Sequence, residues 1–175
     1  MDNAQLASLV EEYQKEHAPR LDNHLKFFQE LPSLEEAIRF ACGPHPHRRH
    51  FDATTLENAR KRLMQNPEKL REFRVFARLR DYIEGETKYI GFGDLTVYDT
   101  SLWLGAYLNR WPKVVYLHAG VRIGCDALGL TTDAHMIEMD QLPRPIQVLK
   151  PHHAENFLCI YNDCFHGGST KRRFC

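Results

Sequence analysis

The chain has 175 residues, 43% hydrophobic and 11% aromatic. That suffices to bury a core without disulfide or metal staples, and it excludes a disordered polymer. Twenty-three basic and twenty-three acidic side chains cancel, so overall charge marks neither a nucleic-acid binder nor a membrane-surface protein.

The cancellation is uneven along the chain. Residues 1–43 carry four basic and eight acidic groups, residues 44–80 carry ten and four, and residues 81–175 carry nine and eleven. A basic middle therefore separates two acidic segments. The first twenty residues lack the basic start and apolar run of a signal peptide. No apolar window approaches the ~18 residues of a membrane span. Five cysteines without a tight framework read as reduced thiols, and the expected compartment is cytoplasmic.

The first helix is expected over Asn3 to His17, with Leu6, Leu9, Val10 and Tyr13 at helical spacing and Pro19 closing it. Leu21 to Leu31 repeats the pattern through Leu25 and Phe28. Ser33 caps the next helix, with Glu36 completing a capping box, and Cys42-Gly43-Pro44 ends it. "PHPHRRHFDA" reads as a loop. Thr54 or Thr55 caps a helix reaching about Gln65, and Asn66-Pro67 opens another through "EKLREFRVFARLRDYI". On that helix Arg71, Arg74 and Arg78 fall at i, i+3 and i+7, opposite an apolar stripe. Gly85 is expected to interrupt it, and "DYIEGETKYIGF" is open to a β-hairpin about Glu84-Gly85.

After Gly93, "DLTVYDTSLWLGAYLNRW" is apolar nearly all round, the pattern of a helix buried on most sides, stopped at Asn109 to Pro112. Val114 to Leu117 reads as a short strand or irregular segment, and Ala119 to Leu128 as helix with Gly129 as terminator. Residues 131–150 read as irregular. Pro151 to Cys164 reads as a last helix, before a basic tail with Lys171, Arg172 and Arg173. The expected fold is mainly α: one compact multi-helix bundle over 1–175 with at most a minor β-hairpin. Its parts are an acidic 1–43, a basic 44–80, a hairpin-like core 81–130 and a C-terminal 131–175.

Gly91-Phe92-Gly93-Asp94-Leu95-Thr96-Val97 resembles the hairpin of helix-hairpin-helix proteins, over about twenty residues from Tyr89 to Leu108. Glycines suit a tight link that needs positive φ and an open path to backbone N–H groups. The resemblance implies binding to the phosphate backbone without base readout, through Gly91, Gly93 and Thr96. Some of that family are DNA glycosylases with an aspartate on the second helix. Asp99 is the candidate here, displaced by one residue, about 100° on a helix. Read from the residues alone, the same stretch is a glycine corner for close packing, and Asp99 a carboxylate held by hydroxyls or by an arginine such as Arg122.

Other clusters admit a chemical and a plain reading. Arg48, Arg49, Arg60, Lys61, Arg62, Arg71, Arg74 and Arg78 form either a phosphate-tracking face or a solvated one paired with Glu57, Glu68 and Glu72. His45, His47 and His50 lie between arginines that would repel a cation. Cys159, Cys164 and His166 match no common zinc spacing, and Cys159 is expected in the core. His135 and Glu138 lack further ligands nearby. His118 and Arg122, beside Gly120 and Gly124, suggest a close helix approach or an anion site. No cofactor and no metal is expected.

The leading expectation is a nucleic-acid-binding protein contacting DNA or RNA phosphates through the hairpin and arginines Arg48, Arg49, Arg71, Arg74 and Arg78. A non-enzymatic protein–protein interaction module, or homo-oligomer, using the stretch around Trp103 and Trp111 is the alternative. A small glycosylase-like hydrolase using Asp99, His118 and Arg122 is the third. No membrane partner is expected.

Overall fold

A capping box opens the chain: the Asp2 carboxylate accepts from the Gln5 backbone N–H at 2.8 Å, and the Gln5 side chain accepts from the Asp2 N–H at 3.2 Å. It starts α1 (Asn3–Glu16) in a computed structural model that describes residues 1–165. The chain is mainly α-helical, as expected, with one two-stranded antiparallel sheet among the described residues. It forms two compact units. One comprises Met1–Asp22 and the chain from Pro112 onward, and the other Asn23–Trp111. No helix among the described residues is long and apolar enough to cross a membrane.

Helix α2 (Ala18–Gln29) runs across the division at Asp22. Pro19, expected to close α1, instead sits in the first turn of α2, where a missing N–H costs nothing. Within the Asn23–Trp111 unit, Ser33 accepts from the Glu36 N–H at 3.2 Å and starts α3 (Leu34–Ala41). Helix α4 (Ala53–Leu63) is capped by Asp52, not by Thr54 or Thr55. Its carboxylate accepts from the Thr55 N–H at 2.6 Å, because Asp52 holds the extended backbone an N-cap needs.

The long helix expected after Pro67 is broken. A single turn, α5 (Glu68–Glu72), ends at Phe73, whose backbone is extended. Val75 is extended too, and α6 (Phe76–Thr87) begins there. Arg110 braces the break by donating from Nε to the Phe73 carbonyl at 3.1 Å. Arg71, Arg74 and Arg78 therefore do not share one helix face. Gly85 interrupts nothing: it lies inside α6, which excludes the β-hairpin alternative there.

Helix α7 (Asp94–Leu108) is the buried centre of this unit, covered continuously from Thr96 to Ala106. That coverage follows from its all-round apolar sequence. Asn109, at φ 55°, turns the chain out of the helix, and the Arg110 N–H bonds back to the Gly105 carbonyl at 2.7 Å.

The other unit gathers α1, a short ladder of β1 (Val115–Tyr116) and β2 (Met136–Ile137), α8 (Ala119–Ala127) and α9 (Pro151–Ile160). Val115 pairs with Ile137 and Tyr116 with Met136. Leu6, Val10, Tyr13, Val121, Cys125, Phe157 and Leu158 belong to one continuous core. The close helix approach expected from the small residues of α8 is present at Gly124, where a Cβ would lie 2.4 Å from the Leu158 carbonyl of α9.

Two glycine substitutions should move stability in opposite directions. Gly124→Ala forces α8 from α9 and should cost about 1–3 kcal/mol. Gly85→Ala meets nothing within 4 Å on exposed α6 and should add about 0.5–1 kcal/mol through helix propensity. Urea denaturation of the two variants checks both signs.

Candidate functional site

Helix α6 continues through a 3-10 turn, Lys88–Ile90, into the glycine stretch. Gly91 takes φ +105°, a left-handed conformation that an L side chain rarely adopts. Phe92 turns inward and is 2% exposed, and Gly93 is the N-cap of α7. Both glycines are exposed, and a Cβ at either would meet nothing within 4 Å. Among the described residues no side chain caps the first turn of α7. Its leading N–H groups thus lie at an open surface at the positive end of a fifteen-residue helix. Asp94, exposed in that first turn, is the acidic group beside them.

Thr96, expected to face a phosphate, is buried, and its carbonyl accepts from the Thr100 hydroxyl at 2.7 Å. Arg48, expected on a phosphate-tracking face, is 2% exposed. It donates to the Ala41 carbonyl, to the Gly43 carbonyl at 3.4 Å and to Thr100 Oγ1 at 2.7 Å. Its guanidinium lies 4.6 Å from the Trp103 ring centroid and 5.5 Å from that of Phe92. Burial lowers its pKa while the charge of Asp99 opposes that fall. Asp99 is thus a buried carboxylate within reach of the Arg48 charge. Arg122, suggested as its partner, belongs to the other unit and donates to the Thr132 carbonyl. Of the two tryptophans considered for an interface, Trp103 is 4% exposed and Trp111 is half-buried.

Most of the remaining guanidinium row is paired. Arg71 meets Glu68 at 3.0 Å, Arg60 meets Glu57 at 2.6 Å, Arg62 meets Glu86 at 2.5 Å and Arg78 meets Asp81 at 3.9 Å. These exposed pairs are worth only about 0–1 kcal/mol each and exchange partners readily. Arg49 and Arg74 are exposed and form no ion pair among the described residues. Arg49 neighbours the loop whose Phe51 ring packs 5.4 Å from Phe92. A shallow groove on the α6 flank is lined by Asp81, Glu84, Gly85, Lys88 and Tyr89, and its two carboxylates make it a poor path for a polyanion.

The second concentration of chemistry lies in the other unit and was not legible as a site. Lys150 precedes Pro151 at the start of α9, and His152, His153 and Glu155 follow within its first turns, all buried. His118, at the N-cap of α8, places Nε2 2.5 Å from Glu155 Oε1. The Tyr13 hydroxyl of α1 lies 3.0 Å from His153 Nδ1, and His153 Nε2 lies 3.1 Å from Asp22 Oδ1. Tyr161 donates to Glu12 at 3.2 Å. Burial, then the charges of Glu155 and Asp22, raise the Tyr13 pKa, so its hydroxyl stays protonated. Burial pushes His152 down to about 3, with His153 and Lys150 adding to the effect. His153 is lowered as well, again first by burial, with Asp22 opposing.

The sequence signal was present: two histidines and a glutamate within four positions at a proline-started helix. Of the earlier clusters, His45 packs edge-on against Trp103 at 4.8 Å and His50 against Phe51 at 4.1 Å. His135 lends its carbonyl to the Leu117 N–H, and Glu138 caps a 3-10 turn. Cys159 is in the core, as expected, but it is disulfide-bonded, which corrects the reading of all five cysteines as reduced thiols. Burial raises the free thiols Cys42, to about 12, and Cys125, to about 11, which makes both poor nucleophiles. His166 and Lys171 to Arg173 lie outside the described residues.

A scan against protein-family models finds no match, and searches of curated proteins and of solved structures find none.

Neighbouring arginines should behave differently. Arg48→Met removes the donor to the Ala41 and Gly43 carbonyls and to Thr100 and leaves those buried acceptors unpaired by it, and should destabilise by about 3 kcal/mol or more. Arg49→Met should stay within about 0.5 kcal/mol of wild type in the same denaturation assay. The His152 shift also sets a pH dependence. Its folded pKa lies below the unfolded value, so the unfolded chain binds the extra proton. The contribution is complete above about pH 6.5, the unfolded value, and is lost as pH falls towards about 3. His152→Gln should flatten this limb of a stability–pH curve.

Proposed function

We propose that the Asn23–Trp111 unit binds the phosphate backbone of nucleic acid, without base readout, through the Gly91–Gly93 hairpin. The observation that carries this reading is the uncapped, exposed N-terminus of α7, reached through two glycines whose surroundings leave room for an anion. Phe92 pins the hairpin to the core, so the N–H groups are held in place before a ligand arrives. Arg49 supplies a nearby unpaired charge, and Arg74 a second one on the same unit.

The pairing of the other arginines narrows the expectation. With about two or three phosphates neutralised, log affinity should fall against log salt with a slope of about −2 to −3, at about −0.9 per phosphate on duplex DNA. A protein-interaction module is the second reading, favoured by the exposed aromatic pair Phe27 and Phe40, whose rings lie 5.0 Å apart.

Fluorescence anisotropy with labelled DNA and RNA across a salt series separates the two. Gly93→Asp introduces a carboxylate where a Cβ meets nothing within 4 Å, and Arg49→Glu reverses an exposed charge on the same unit. Each should weaken binding about tenfold, one charge contact or about 1.4 kcal/mol. Asp94→Asn should tighten it. Wild-type protein that ignores both nucleic acids, or whose affinity all three substitutions leave unchanged, overturns the proposal.

A further inference from the structure

We infer that Asp22, His152 and His153 form a binding site for one divalent transition-metal ion of the zinc class. Their ligand atoms lie within 4.8 Å of one another, and theirs is the one such group of three or more His, Cys, Asp or Glu side chains among the described residues. All three belong to the same compact unit, so the site does not depend on the hairpin or on the nucleic-acid reading.

Two imidazoles and one carboxylate are the donor set of borderline-soft cations such as zinc, rather than of calcium or magnesium, which take oxygen ligands. Three atoms bound to one zinc at about 2.1 Å lie about 3–3.5 Å apart. His153 Nε2 and Asp22 Oδ1, at 3.1 Å, already meet that spacing. His152, whose ligand atom lies within 4.8 Å of the other two, makes the remaining approach, and Asp22, with a side chain 59% exposed, can rotate to follow it. The His153 side chain is 8% exposed, so the site has a rigid imidazole side and an open carboxylate side. The open side gives the ion an entry path and leaves room for water as a further ligand.

Tyr13 is the positioning residue. Its hydroxyl, 3.0 Å from His153 Nδ1, sets the orientation of the ring so that Nε2 faces Asp22. Without metal, Nε2–H donates to the Asp22 carboxylate and Nδ1 accepts from the Tyr13 hydroxyl. With metal, the Nε2 lone pair goes to the ion, and the proton moves to Nδ1, which donates to the tyrosine oxygen. The histidine gains no net charge and releases no net proton in this exchange. Glu155 and His118 are spent on each other at 2.5 Å and are not ligands.

The test uses the full chain, stripped with a chelator and titrated with Zn(II) by calorimetry and with Co(II) by visible absorption. The expected result is one equivalent bound. Asp22→Asn and His152→Gln should each lower affinity at least tenfold. Tyr13→Phe should lower it about 10–100-fold, the range for an outer-shell partner of a ligating histidine, with an altered Co(II) spectrum at unchanged stoichiometry. Circular dichroism of the metal-free variants checks folding. Should a buried substitution unfold the protein, the exposed Asp22→Asn decides. No saturable one-equivalent binding of either metal, or unchanged affinity in folded Asp22→Asn, overturns the inference.

Discussion

A guanidinium sealed inside a helical unit is the constraint around which residues 23–111 are arranged. Arg48 cannot be left without acceptors once water is excluded, because the cost of an unpaired buried charge exceeds any single packing gain. It takes the carbonyls that close α3, the hydroxyl of Thr100 on α7, and the face of Trp103. Those contacts tie the loop after α3 to the middle of the buried helix. The same guanidinium approaches the ring of Phe92, so the core that holds α7 also anchors the hairpin leading into it. The exposed glycines on either side of Phe92 can then present backbone N–H groups from a fixed support.

The unit containing α9 has another character. Its core is apolar around Val115, Val121, Phe157 and Leu158, yet its edge holds tyrosines, histidines and carboxylates that satisfy one another. Such a network is costly to build when only partly satisfied. Here α9 brings three polar groups in one turn, while α1, α8 and the start of α2 each bring a partner. The depressed pKa of His152 and the raised pKa of Tyr13 are consequences of this burial, and both keep these groups neutral near neutral pH.

Local chemistry was legible wherever one segment carried the whole signal. Leu6, Val10 and Tyr13 marked the buried face of α1, Ser33 marked the start of α3, and the unbroken apolar run after Gly93 marked α7 as central. Charge was not legible in the same way. Arg48 and Arg49 are adjacent in sequence, and one is buried while the other is exposed. The row Arg71, Arg74 and Arg78 looked like one face only on the assumption of a continuous helix, which extended backbone at Phe73 and Val75 breaks. The paired histidines of α9 carried little meaning alone, because Asp22 lies about 130 residues away in sequence.

The sequence by itself determined the helical class, most helix starts and stops, and the glycine link before α7, since each follows from backbone propensity and from side chains a few positions apart. Only the tertiary structure decided which charged and imidazole groups are buried, which are paired and which face solvent. Those outcomes depend on desolvation and on partners brought from distant segments, and no local pattern encodes them.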